Sequence, residues 1–234
     1  MVNLPDGFHE SLTNKFFELF DLYEEVKKIV FLAEYENKEQ KYIISSVNEL
    51  RNSLDHIMRT FGSPENLEIN FDKAKGHLYR AGYDAYEIIA ISKLAAIKEI
   101  KEQFKFEAIT RGYPDYFNKI IPVISETKKQ LVSARANKKI DNGLDVKTEK
   151  KHFSKFEKIT TELIKIVDDL DLHIDGIIEA QQEIRKKYWR NTIITTGLLA
   201  LLIGLALLVI EHKFFVPKEY KGNLIPPKTE QLKP

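Results

Sequence analysis

The chain has no cysteine and almost no net charge: Lys+Arg 36 stand against Asp+Glu 35, a formal +1 over 234 residues. The first absence excludes disulfides, zinc thiolates and a thiol nucleophile, and suits a reducing compartment. The second removes the global positive field by which many proteins hold nucleic acid. There is also no Gly-rich phosphate loop and no Gly-x-Ser-x-Gly elbow, so no cofactor is expected. Neither His56 nor His77 sits in a His-x-x-x-His or Glu-x-x-His pair, and no metal is expected. Proline falls only at 5, 64, 114, 122, 217, 226, 227 and 234. That leaves long proline-free runs without sustained strand alternation, so the chain reads as all-α.

What is present is led by "TIITTGLLALLIGLALLVI", Thr192 to Ile210, 19 residues without a charge. As a helix it spans about 28 Å, the thickness of a bilayer's hydrocarbon core. Tyr188 and Trp189 on one side and Phe214 and Phe215 on the other are placed for the two interfaces. Arg185, Lys186, Lys187 and Arg190 crowd the N-terminal flank, whereas Lys213, Lys218 and Lys221 are diluted by Glu211 and Glu219. That asymmetry predicts a single pass through the inner cell membrane, with the large N-terminal part cytoplasmic and the tail outside. The start, MVNLPDGFHESLTNKFF, lacks a basic segment followed by an apolar run, so no cleaved signal peptide is expected. The Pro-rich tail reads as an extended segment.

Before the span, helices are expected over about Ser11–Tyr35, Lys41–Phe61, Glu65–Phe106 and Asp115–Lys138, with a break near Glu36 to Glu39. Phe16, Leu19, Phe20, Tyr23, Val26 and Val30 form the expected apolar stripe of the first. The polar stretch "NKKIDNGLDVKT" is the expected hinge. From Phe153 through Phe156, Thr160, Leu163, Val167, Leu170, Ile174, Ile177, Gln181 and Ile184 to Tyr188, alternating spacings of three and four make a heptad seam. It is expected to pack on Phe117, Ile120, Ile124, Thr127, Leu131 and Ala134 of the preceding helix, on other copies as a stalk, or on the first near the domain and the second near the membrane. Thr196, Ala200 and Gly204 add a small-residue stripe inside the span.

The second and third helices are joined by a short turn and should be antiparallel neighbours. Arg51, Asp55, His56 and Arg59 on one and His77, Arg80 and Asp84 on the other are expected to converge. Imidazoles that move protons beside guanidiniums that hold a phosphate are what metal-free RNA cleavage needs. Arg51-Asn52-Ser53-Leu54-Asp55-His56 resembles the signature of the HEPN superfamily, helical-bundle proteins many of which are RNA-cleaving toxins or defence effectors. The resemblance covers six residues in an all-helical context. It implies Arg51 as phosphate-binding residue, Asn52 as positioning residue and His56 as catalytic imidazole, at a dimer interface. The other reading is structural: Arg51–Asp55, Asp55–Arg59 and Arg80–Asp84 are ordinary i,i+4 pairs, and the same groups also suit a noncatalytic anion site of Arg59, His77 and Arg80. His9, His152, His173 and His212 are scattered and expected at the surface.

The sequence thus predicts a cytosolic helical bundle over 1–140, a stalk helix over 141–190, a transmembrane helix over 191–211 and a short outer tail over 212–234. Its expected role is a membrane-anchored effector, sensor or interaction module in stress or antiviral defence, oligomerising through stalk and membrane helix. A tethered HEPN-like ribonuclease and a passive tether or scaffold are the alternatives. The expected partners are the lipid bilayer, further copies of the chain, RNA or an anionic nucleotide, and a protein on the cytosolic part.

Overall fold

A computed structural model of the protein describes residues 8–37, 43–62, 64–141 and 145–214. These residues are all-α: α1 (Phe8–Glu36), α2 (Ile43–Gly62), α3 (Leu67–Gln103), α4 (Phe106–Gly112), α5 (Ile121–Asp141) and α6 (Val146–Phe214). A 3-10 turn, Pro64–Asn66, leads into α3, and a π-helical turn, Tyr116–Ile120, leads into α5. The expected break at 38–39 and the tail at 215–234 lie outside the described residues, as does 142–144 of the expected hinge. The chain divides into two compact units, Met1–Gln182 and Glu183–Pro234.

In the first unit α3 is the axis. Both α1 and α2 pack along it and touch each other only marginally. Its inward side chains Phe71, Leu78, Tyr83 and Ile89 are fully buried, and Phe156, Leu163, Leu170 and Ile177 of α6 complete the same core. The α6 seam from Phe153 to Leu170 is therefore spent inside the chain, as are Ile124, Thr127, Leu131 and Ala134 of α5. Small residues set the spacing: a Cβ on Gly82 of α3 would run into the Phe153 ring, and Gly112 of α4 lies against the backbone at Gly176 of α6. Ion pairs close the far side, where Lys138 of α5 reaches Asp84 at 2.6 Å and Glu87 at 2.8 Å and lies over the Tyr83 ring.

The structure departs from the sequence reading at three points. The expected helix Glu65–Phe106 stops at Gln103 because Phe104 and Lys105 turn extended. The side-chain oxygen of Gln181 accepts the Lys105 N–H at 3.1 Å, so a tertiary contact replaces the helical bond. In α1 the buried row is Leu19, Leu22, Val26, Ile29, Val30 and Ala33, while Phe20 and Tyr23 are exposed. His152 is buried rather than exposed, edge-on to Tyr83, because it shares a face of α6 with Ile159 and Ile166 at seven-residue spacing.

In the second unit, α6 carries an 18-residue apolar window, long enough to cross a membrane, of which none is buried. Thr192 and Thr195 donate their hydroxyls to the carbonyls of Tyr188 and Asn191, both at 2.9 Å. Both hydroxyls are thus satisfied within their own helix.

Candidate functional site

α2 presents two adjacent seams, one residue out of phase. Ser46, Ser53 and Thr60, with Leu50 and Ile57, turn toward α3. Their small hydroxyl side chains let the helices approach closely, and Ser53 donates to the Ala74 carbonyl at 3.0 Å. The next seam, Ile44, Val47, Leu54, Met58 and Phe61, is exposed. Ile43, Leu50 and Ile57 of α2 thus pack against the core, while this second apolar row faces away from it. Between α1 and α2 this leaves an apolar groove of about 550 Å³ lined by Phe16, Phe20, Tyr23, Val47 and Leu54, with Arg51 in its wall.

The opposite edge of α2 faces a polar pocket of about 690 Å³, lined by His56, Lys73, His77, Arg80, Lys147 and Glu149 among others. His56 stacks on His77 with ring centroids 5.2 Å apart. His77 Nδ1 lies 2.6 Å from Glu49 Oε2, which also accepts from Arg80 Nε at 2.9 Å. Arg80 Nη1 donates to Glu149 Oε1 at 2.8 Å, and the Tyr83 hydroxyl donates to Glu149 Oε2 at 3.0 Å. One guanidinium thus ties α2, α3 and α6 together through two carboxylates, one of them, Glu149, only 1% exposed.

The electrostatics follow from this wiring. Burial opposes ionisation of Glu49, but hydrogen bonds from His77 and Arg80 outweigh it and hold the carboxyl below its ordinary range. Burial likewise opposes the charge on Arg80, and Glu49 and Glu149 reverse that and raise it. Burial first, and Glu149 second, push the Tyr83 phenol far up. Burial lowers His56, with Asn70 Oδ1 at 3.2 Å from Nδ1 opposing and His77 adding to the shift. A neutral His56 whose Nδ1–H donates to Asn70 keeps Nε2 as an acceptor, the form a general base requires.

No family model, curated protein or solved structure matches the chain. The functional argument therefore rests on where the residues stand. Of the six site residues expected from sequence, His56, His77 and Arg80 come together in the polar pocket. Arg51 lines the apolar groove instead, because five residues along a helix turn it well away from His56; its guanidinium lies 3.5 Å from Asn52 Oδ1. Arg59 is on the exposed face, paired with Asp55 at 2.6 Å. Glu49, not Arg51, meets His77 and Arg80, since Glu49 lies two turns from His56 on the same face. Glu149 was the other omission, and its signal was present: extending the α6 seam one step back from Phe153 lands on it. With Nε on Glu49, Nη1 on Glu149 and Nη2 2.7 Å from His77 Nδ1, Arg80 is engaged as a clasp between helices. Lys73 and Lys147 remain as the pocket's other cations, alongside Asp72 and Asp145.

Proposed function

We propose that the chain is a membrane-anchored helical interaction module, held in the cell membrane by Thr192–Ile210 with the preceding residues in the cytoplasm, that self-associates through α2. The observation that carries this reading is the exposed stripe Ile44, Val47, Leu54, Met58 and Phe61, with Arg51 at its centre, in the three-four spacing of a coiled-coil seam. The stripe is complementary to itself in reverse. A second copy running antiparallel sets Ile44 against Phe61, Val47 against Met58 and Arg51 against Leu54, and brings the second copy's Asp55 within one residue of Arg51. Apolar layers and opposite charges then match by symmetry. The α6 seam is already occupied in the first unit, which favours α2 as the pairing surface there.

The absence of native cysteine makes the test direct. Differently tagged Val47→Cys and Met58→Cys copies, co-expressed in one membrane, are expected to oxidise mainly to the mixed dimer. Equal yields of mixed and homodimers, or no crosslink, overturn antiparallel pairing.

A second reading is favoured by one observation, the stacked His56–His77 pair in an open pocket with Lys73 and Lys147. In it the chain is a tethered, HEPN-like, metal-independent ribonuclease: His56 and His77 supply base and acid, and the lysines attract phosphate. Incubating solubilised protein with single-stranded RNA and no divalent metal tests it. Cleavage abolished by His56→Ala supports the reading, and intact RNA with the wild-type protein counts against it.

A further inference from the structure

The segment entering the apolar window carries four cations in six residues, Arg185, Lys186, Lys187 and Arg190. Glu183 is the nearest carboxylate before them, and none follows until Glu211. Arg185, Lys186, Trp189, Arg190 and Ile193 line one shallow cleft of about 450 Å³ on α6. The i,i+4 spacing explains it: Arg185 stands over Trp189, Lys186 over Arg190, and Trp189 over Ile193. Trp189 and Tyr188 are both exposed, and the hydroxyl of Thr192 is turned back onto the Tyr188 carbonyl. Over about two helical turns, from Arg185 through Trp189 to Ile193, the surface passes from cationic to aromatic to aliphatic. That is the order of chemistry a helix meets on passing from water through lipid phosphates into acyl chains.

We propose that this cleft is a binding site for the phosphodiester headgroup of anionic phospholipids. Arg185 and Arg190 offer planar donor forks that match phosphate oxygens, and Lys186 and Lys187 add point charge. The indole of Trp189 lies at the level of the glycerol backbone, between the charged and apolar ends of the cleft. A zwitterionic headgroup brings its own ammonium to a cleft already lined by three cations, with Lys187 next to them in sequence, so the cluster discriminates by net headgroup charge and not by phosphate alone. The ligand class is accordingly a lipid such as phosphatidylglycerol or phosphatidylserine, gathered around this helix from a mixed bilayer.

The inference rests on reading Thr192–Ile210 as a membrane span, and one experiment separates the two. Trp189 is the sole tryptophan, so its fluorescence reports this site in the full chain. The protein is reconstituted in vesicles of phosphatidylcholine and phosphatidylglycerol at fixed composition, with bromine at a shallow acyl position on one lipid or the other. Brominated phosphatidylglycerol is expected to quench Trp189 about twofold more, per mole fraction, than brominated phosphatidylcholine. The excess should vanish in high salt and in the combined Arg185→Gln, Lys186→Gln, Lys187→Gln and Arg190→Gln variant, while quenching by phosphatidylcholine persists. Equal quenching by both lipids overturns the headgroup site and leaves the span intact. Quenching by neither overturns the span and the site with it.

Discussion

The two edges of α2 differ in how they treat their most conspicuous residues. On the pocket edge, four side chains are wired together: Glu49, His77, Arg80 and Glu149 form a continuous chain of contacts between 2.6 and 2.9 Å. On the groove edge, large apolar side chains stand exposed beside one arginine. A charged cluster inside a helix packing reads at first as a site, and an apolar row as core. Here the wired cluster joins three helices, and the apolar row is exposed. The lesson is that availability of a group, more than its chemical type, separates structural from functional surfaces.

The largest expected effect comes from opening the wired edge. Glu149→Ala leaves Arg80 with one carboxylate and the Tyr83 hydroxyl without its acceptor, in a place nearly closed to water. Breaking a buried pair in this way costs about 3–5 kcal/mol. Thermal unfolding of the detergent-solubilised chain should register it as a large drop in Tm, and an unchanged Tm would show that the network contributes nothing.

Next comes a reversal of the usual polarity rule at the boundary between the edges. Ser53, 2% exposed, lies where α2 and α3 nearly touch. Ser53→Leu makes α2 more apolar yet forces the helices apart and removes the bond to Ala74, and about 1–3 kcal/mol of stability should be lost. The same unfolding measurement checks it. A stabilised Ser53→Leu protein would mean that the α2–α3 interface is loosely packed.

Acid should act on the wired edge and spare the groove. His56 is held below its ordinary 6.5, so on acidification the unfolded chain takes up that proton first and stability begins to fall below about pH 6.5. Glu49 is held below its ordinary 4.5, so its contribution is complete above that value and is lost as pH falls through the depressed one. Glu49→Gln should cost about 1 kcal/mol at neutral pH and flatten the lower of the two windows. Unfolding curves collected across pH 3–8 decide this, and identical pH profiles for the variant and wild type would remove Glu49 from the account.

These contrasts also mark how far sequence reasoning reached. The helices, the α6 seam and the apolar span were legible because period and length are properties of local sequence, and Phe153 to Leu170 are buried as their spacing implied. The end of α3 was not, because neither Gly nor Pro marks it and the responsible group, Gln181, is remote in the chain. Phe20 and Tyr23 were placed in one apolar stripe with Leu19 and Val26 since hydrophobicity alone does not distinguish a buried face from a groove wall. Arg51 and His56 were placed in one site by the six-residue motif they share, and five residues along a helix turn them to different faces. The partners that matter, Glu49 and Glu149, resemble surface charges until α6 is laid beside α2 and α3.

The smallest expected change in stability belongs to the groove edge, and it is the most discriminating. Leu54 adjoins Ser53 in sequence but is 56% exposed, so Leu54→Ser removes little that is buried in the single chain. Its effect on stability should stay within about 0.5 kcal/mol, read as a small shift in Tm. If the α2 seam is a pairing surface, the same substitution breaks the layer in which Leu54 meets Arg51 of a second copy, and crosslinking between Val47→Cys and Met58→Cys copies should fall sharply. Stability and association then separate at one residue. A Leu54→Ser protein that crosslinks as well as its parent would leave the exposed stripe without a role in self-association. A protein that loses both properties would mean that Leu54 belongs to the core after all, and the contrast between the two edges of α2 would collapse.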